Sequence, residues 1–180
     1  MNLDDYALLK RNKCQMKETS IDDSQKPAVF MVDDTRPVVN FDKVKEQYLA
    51  DLGLRSIYAS SIDALFQDDE ETLYFVEFKN GDIEKDNIKS KIADSLLIFC
   101  DLTESEISYT RENGTFILVM NDDKYDRLSY RDKRAIGLAR LGRQDFALYG
   151  IDKLRGYCFK SVSMMTASEF SSMLKKVRIR

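Results

Sequence analysis

The strongest structural signal in the chain is the segment Leu73-Tyr74-Phe75-Val76-Glu77-Phe78-Lys79-Asn80-Gly81. Its first four residues are all large and apolar or aromatic, which is typical of a strand covered on both faces. Side chains two positions apart on a strand point to the same face, so Glu77 and Lys79 share one face and Phe78 lies on the other. An acid and an amine at the end of a buried strand are costly to bury, and such arrangements often mark a functional site.

A second acid precedes this segment. Residues 60–66 (SSIDALF) predict a strand, and the polar QDDE that follows predicts the turn into the next strand. We therefore expect a hairpin with its first strand near residues 55–66 and its second near residues 72–80. In such a hairpin Asp63 can lie close to Glu77, so two carboxylates and one ammonium group are expected to meet.

The order Asp63, thirteen residues, Glu77, one residue, Lys79 resembles the active-site motif of the PD-(D/E)XK, or restriction-endonuclease-like, nuclease superfamily. The predicted sequence of elements (helix, hairpin with the acid, Glu-x-Lys strand, helix, strand) is similar to that superfamily's core over about residues 41–121. No Pro precedes Asp63, and many members also lack one. The resemblance implies an α/β (α+β) fold, with a central mixed sheet of about four to six strands flanked by helices and an αβββαβ core.

The resemblance also implies an activity, the metal-dependent hydrolysis of phosphodiester bonds in nucleic acid. Asp63 and Glu77 would bind Mg²⁺ or Mn²⁺, because hard cations of this kind prefer carboxylate oxygens. In the superfamily, the backbone carbonyl corresponding to that of Phe78 supplies a third oxygen. Lys79 would hold the attacking water or neutralise charge that develops on the phosphate.

Two helices beside the predicted hairpin contribute further candidates. Members of the superfamily often take one more acid from their first helix, here predicted over about residues 42–52, and Glu46 is the candidate; the alternative is a solvated side chain beside neighbouring lysines. The helix after the Glu-x-Lys strand, expected over about residues 84–101, often brings a basic side chain toward the site. Lys89 or Lys91 could do this, or could simply be exposed.

Residues 124–143 form the most basic part of the chain, with seven Lys or Arg against two Asp. Arg131, Arg134 and Arg140 are the candidates for contacts with nucleic-acid phosphates. An exposed, solvated helix explains the same composition equally well.

Several local patterns predict the ends of elements. Asn40 is expected to cap the first helix and Gly53 to end it, and residues 166–169 (TASE) form a capping box before a C-terminal helix. The apolar run at residues 116–120 predicts a strand that pairs in parallel with the Glu77 strand, since a helix connects the two. Asp94 and Ser95 interrupt the apolar pattern of that connecting helix, and the sequence gives no account of them.

The composition limits the chemistry that is open to the chain. It has 180 residues, a formal net charge of −3, three Cys and no His. The absence of His excludes histidine triads and histidine metal sites, and few, widely spaced Cys favour reduced thiols in a cytoplasmic protein. No segment has the features of a signal peptide or a bilayer-spanning helix, so no membrane contact is expected.

The expected organisation is a polar, loosely attached N-terminal arm over residues 1–26 and one nuclease-like domain over residues 27–180. The domain has its core at about residues 41–121 and C-terminal additions at residues 122–180. Two alternatives to an active nuclease stay open. One is a catalytically inactive module of this fold that binds a protein partner, as in phage defence or a toxin–immunity pair; the other is an accessory protein that binds nucleic acid through the basic stretch. A homo-oligomer is also compatible with the sequence.

Overall fold

The structure is a computed structural model that describes residues 1–22, 28–54, 57–80, 85–140 and 150–180. The strands within these residues are β1 (Lys13–Gln15), β2 (Ile21–Asp22), β3 (Val29–Phe30), β4 (Pro37–Asn40), β5 (Ala64–Gln67), β6 (Leu73–Lys79), β7 (Gly114–Met120) and β8 (Ser161–Thr166). The α-helices are α1 (Ala7–Arg11), α2 (Met16–Thr19), α3 (Phe41–Asp51), α4 (Lys85–Thr103), α5 (Ile107–Asn113), α6 (Asp122–Arg127), α7 (Tyr130–Arg140) and α8 (Ala167–Leu174). Two short 3₁₀ turns lie at Leu3–Asp5 and Asp152–Leu154.

One mixed sheet of six strands forms the centre of the fold, in the order β1-β4-β5-β6-β7-β8. The pairs β1–β4, β4–β5 and β5–β6 are antiparallel, whereas the pairs β6–β7 and β7–β8 are parallel. Since α4 lies between β6 and β7 in the chain, it supplies the crossover that a parallel pair requires. The predicted mixed sheet flanked by helices is confirmed, as is the parallel pairing of the Glu77 strand with the strand that follows.

Apolar side chains cover both faces of the sheet. On one face Leu73 and Phe75 pack with apolar residues of α3 and α4, and on the other face Val76 packs with Phe170 of α8. Because successive side chains of β6 alternate between these two layers, the strand is buried on both sides, as its sequence predicts. None of the described helices is both long enough and apolar enough to cross a membrane.

The helix ends follow the predicted signals. The side chain of Asn40 accepts the backbone N–H of Lys43 at the start of α3. After α3, Gly53 has a φ of +72°, and its N–H donates to Ala50 while that of Leu54 donates to Leu49. This is the Schellman pattern, which a glycine adopts without steric strain. The capping box at the start of α8 is also present, with both of its hydrogen bonds.

The N-terminal residues are more firmly attached than their sequence indicates. Over residues 1–22, the described part of the expected arm, β1 pairs with β4 at the edge of the main sheet. Leu9 and Met16 are fully buried against the two core layers. The prediction of a loose arm is therefore wrong for these residues, because a few apolar side chains pack into the core and hold the segment. These residues are isolated in the sequence and show no periodicity, so the pattern did not reveal them.

The remaining connections lie around the main sheet. The strand β3 pairs with β2 outside it. The helix α5 continues directly into β7. Residues 150–160 are mostly turns, and β8 begins after them at Ser161.

The direct passage from α5 into β7 depends on the absence of a side chain at Gly114. A Cβ atom at this position would lie 2.5 Å from the backbone oxygen of Thr110 and 3.1 Å from the ring of Phe159. We expect Gly114→Ala to lower the free energy of unfolding by ~1–3 kcal/mol, since buried neighbours must move. Gly137→Ala is the matched control, because no described atom lies within 4 Å of its Cβ position, and in α7 it should add ~0.5–1 kcal/mol. Urea unfolding measures both, and equal effects would contradict the steric argument.

Candidate functional site

Two acids and a lysine meet where the central hairpin ends. Ala64 of β5 pairs with Val76 of β6, so one step further along the register Asp63 lies opposite Glu77. The Nζ atom of Lys91, on α4, is 2.7 and 3.0 Å from the two carboxylate oxygens of Glu77 and 3.4 Å from Oδ1 of Asp63. The structure thus brings together the two acids that the sequence singles out, with a lysine between them.

Lys79 joins this group from the same strand as Glu77. Its Nζ atom is 3.3 Å from Oε1 of Glu77, as expected for two side chains on one strand face. The Glu77 side chain is 0 % exposed, whereas those of Lys79, Lys91 and Asp63 are 19, 20 and 15 % exposed. The cluster therefore has a fully buried acid at its base and three groups that reach the edge of the solvent.

Backbone contacts fix the position of Asp63. Its Oδ2 atom accepts the backbone N–H of Phe78 at 2.6 Å. Its own N–H donates to Val76, and its carbonyl accepts the N–H of Phe41 at the start of α3. β5 begins only at Ala64, so Asp63 precedes the strand, whereas the sequence places it well inside one; residues 55 and 56 of that expected strand lie outside the described part of the chain.

The two polar residues of α4 that the sequence left unexplained hold the segment before Asp63. The carboxylate of Asp94 accepts the backbone N–H of Ser60 at 2.8 Å, and the hydroxyl of Ser95 accepts that of Ile62 at 2.9 Å. Because this segment lies before β5 and outside the sheet, these two side chains accept the backbone N–H groups that a neighbouring strand would otherwise accept. α4 therefore positions one acid through Asp94 and Ser95 and contacts both acids through Lys91.

Burial and charge change the acidity of the clustered groups. Burial raises the pKa of Asp63 to about 8, with a further contribution from the charge of Glu77. Burial also raises the pKa of Glu77, although Lys91 and Lys79 oppose the shift. Burial alone would lower the pKa of Lys91, but the two carboxylates outweigh it and the pKa is raised. At neutral pH the lysine thus stays charged, while Asp63 carries a proton for much of the time.

The acid that α3 directs toward this cluster is Asp42 rather than the predicted Glu46. The charge of Asp42 acts on both Asp63 and Lys91, and its carboxylate accepts the hydroxyl of Ser61. Glu46 is exposed and lines a separate groove of about 340 Å³. Asp42 lies in the first turn of α3, the end of the helix that meets the hairpin. Apart from this position, nothing in the sequence favours Asp42 over Glu46.

The predicted nucleic-acid contacts lie in different places. Lys89 is exposed on α4, and Arg131 and Arg134 are exposed on α7. Lys91 is not a free surface lysine, because its ammonium group binds the two acids. Arg140 lies at the end of the described part of α7, and its side chain lies outside the described part of the structure.

The donor set of the site is small. Among the described residues no group of three or more His, Cys, Asp or Glu side chains is placed to hold a metal ion. A metal at this site would take two carboxylates from the protein, Asp63 and Glu77, with the carbonyl of Phe78 as the third oxygen that the resemblance suggests. Comparison of the chain with protein-family models, with curated proteins and with solved structures gives no match.

Proposed function

We propose that the chain is a divalent-metal-dependent phosphodiesterase that cleaves nucleic acid. The observation that carries this proposal is the convergence of two carboxylates, one from Asp63 just before β5 and one from Glu77 on β6, on one cation, the ammonium group of Lys91. This group contacts both oxygens of Glu77 and one of Asp63, so the position already suits a cation held by oxygen ligands. Mg²⁺ and Mn²⁺ prefer ligands of this kind.

Asp63 and Glu77 are the proposed metal ligands, with water and a substrate phosphate completing the shell. A bound ion of this kind polarises the phosphodiester and lowers the pKa of a coordinated water. The Phe78 N–H holds Oδ2 of Asp63, and the other oxygen, Oδ1, faces the cation position. Glu77 is fully buried, so packing limits the freedom of its carboxylate.

Lys79 is the proposed catalytic cation. Its ammonium group contacts Glu77, and its side chain is 19 % exposed, so it borders both the acids and the solvent. In this position it can neutralise the negative charge that develops on a phosphate during cleavage.

The basic helix α7 supports a nucleic-acid substrate. Its buried residue Ile136 belongs to the same core layer as Ile88 and Ile92 of α4, so α7 covers the face of the sheet that carries the acids. Arg131 and Arg134 are exposed on this helix. Exposed arginines on a helix that covers this face of the sheet favour contacts with phosphates, and binding through them should weaken as salt rises.

A second candidate function is an inactive module of the same fold that binds a protein partner. The contacts of Lys91 favour it, because an ammonium group that contacts two buried acids can form a purely structural ion pair. The two functions differ in whether the site binds a divalent cation.

Calorimetric titration with Mn²⁺ and Mg²⁺, combined with cleavage assays on plasmid DNA and single-stranded RNA, tests the proposal. We expect the wild type to bind the metal ions and to cleave nucleic acid. Loss of a residue that only supports a metal ligand typically weakens metal binding roughly 10–100-fold, and Asp63→Ala, which removes a ligand, should weaken it further. Lys79→Met should keep metal binding but cleave about 10²–10³-fold more slowly, as for loss of one group that stabilises transition-state charge.

Asp122→Ala is the matched control. Asp122 also lies two residues before a lysine, but it is at the start of α6, where it accepts the N–H of Ser168. This variant should bind metal and cleave like the wild type. A wild-type protein that takes up neither ion would contradict the proposed function and favour the inactive module.

A further inference from the structure

We propose that the ammonium group of Lys91 is a resident cation which closes the site, and that a divalent ion binds only after this group leaves the carboxylates. The inference rests on the proposed function and adds a residue that sets the affinity for metal. It begins from the contacts of Lys91, which reach both oxygens of Glu77 at 2.7 and 3.0 Å and Oδ1 of Asp63 at 3.4 Å.

The ammonium group and a metal ion compete for the same oxygens. A Mg²⁺ ion binds its oxygen ligands at about 2.0–2.1 Å, closer than an ammonium group can approach. An ion bound to Glu77 and to Oδ1 of Asp63 would therefore lie within a few ångströms of the Lys91 nitrogen. Two cations at such a distance, next to a fully buried acid, repel each other strongly, because little water screens them. Only one of them can be held at a time.

The side chain of Lys91 can move away from the two acids without a change in the fold. Its neighbour Ile92 is fixed in the core, but the Lys91 side chain is 20 % exposed and reaches the acids from the edge of α4. A lysine carries its charge on a flexible four-carbon stem, so rotation of the side chain can move the ammonium group into solvent while the helix stays in place.

The other lysine of the cluster does not have this role. The ammonium group of Lys79 is 3.3 Å from Oε1 of Glu77, whereas that of Lys91 contacts both acids. A metal ion that joins Asp63 to Glu77 therefore replaces Lys91 in particular. Lys79 contacts Glu77 but does not occupy the position between the two acids, so the charge that competes directly with a bridging ion is that of Lys91.

The test compares the Mn²⁺ affinity of the wild type with those of Lys91→Met and Lys91→Gln by calorimetry at one fixed pH. Removal of the competing charge should tighten Mn²⁺ binding at least ten-fold in both variants. Lys10→Met, on the exposed face of α1, removes one positive charge elsewhere and should leave the affinity within two-fold of the wild type. Lys91→Gln retains a hydrogen-bond donor for the carboxylates, so it covers the case in which Lys91→Met does not fold.

A second readout is the rise in melting temperature when Mn²⁺ is added, which should be larger for the Lys91 variants than for the wild type. If the wild type binds Mn²⁺ but the Lys91 variants bind it equally or more weakly, the inference is wrong and the proposed function stands. If neither the wild type nor any Lys91 variant binds Mn²⁺, the proposed function is wrong and the inference falls with it.

Discussion

Replacing Glu77 with Gln is expected to abolish metal-dependent cleavage and to weaken Mn²⁺ binding by more than about 100-fold, beyond the effect of a change beside a metal site. Gln has nearly the same size and can still accept a hydrogen bond, so the substitution removes the charge and preserves the packing. Glu77 is the fully buried member of the cluster and contacts both lysines. We therefore expect metal binding and cleavage to depend more on the charge of Glu77 than on that of any other acid in the chain.

The same substitution should also lower stability. Of its contacts with charged acids, Lys91 would keep the one with Asp63 at 3.4 Å, and Lys79 would lose its carboxylate partner, because the Gln oxygen accepts a hydrogen bond but carries no charge. Hydrogen bonds to charged groups contribute about 1.5–3 kcal/mol each, but both lysines reach solvent, so we expect a net loss of ~1–3 kcal/mol in the free energy of unfolding. Urea unfolding in the presence of a chelator measures this loss without interference from metal.

Glu112→Gln is the control for this variant, because Glu112 is exposed on α5. It removes the same charge by the same chemical change and should alter neither cleavage nor stability by more than a few tenths of a kcal/mol. Cleavage by Glu77→Gln at the wild-type rate would show that Glu77 is a structural ion-pair partner and not a metal ligand.

The central hairpin was predictable because its signals are local. Strand alternation alone places Glu77 and Lys79 on one face, and the polar turn brings the segment with Asp63 back close to Glu77. The capping residues Asn40 and Thr166 likewise act within a few positions of the helix ends that they determine. Such features depend on neighbours in the sequence, so the sequence reveals them.

The contacts that complete the cluster were less predictable because they join distant segments. The sequence offers Lys89 and Lys91 as equal candidates, and only the rotation of α4 against the sheet decides that Lys91 reaches the acids. The same rotation turns Asp94 and Ser95 toward the backbone before Asp63. The attachment of β1 to the sheet edge also escapes prediction, because three residues are too few to show strand alternation.

Asp63→Asn is expected to change how stability depends on pH. The pKa of Asp63 is raised from 3.8 to about 8 in the folded protein by burial and by the charge of Glu77. Between these two values the folded state holds a proton that the unfolded state has released, so the contribution of Asp63 to the stability of the wild type falls as pH rises. The steepest decrease that one such group can cause is about 1.4 kcal/mol per pH unit.

Asn cannot titrate, and its side-chain oxygen can still accept the N–H of Phe78. The free energy of unfolding of Asp63→Asn minus that of the wild type should therefore increase from pH 5 to pH 8, by between about 1 and 4 kcal/mol in total. Urea unfolding at four pH values, with a chelator present, gives this difference directly. Asp123→Asn, at an exposed position of α6, should show a difference that stays constant over the same range. A constant difference for Asp63→Asn as well would mean that Asp63 is ionised in the folded protein throughout, and that the lysines of the cluster compensate its burial more fully than the geometry indicates.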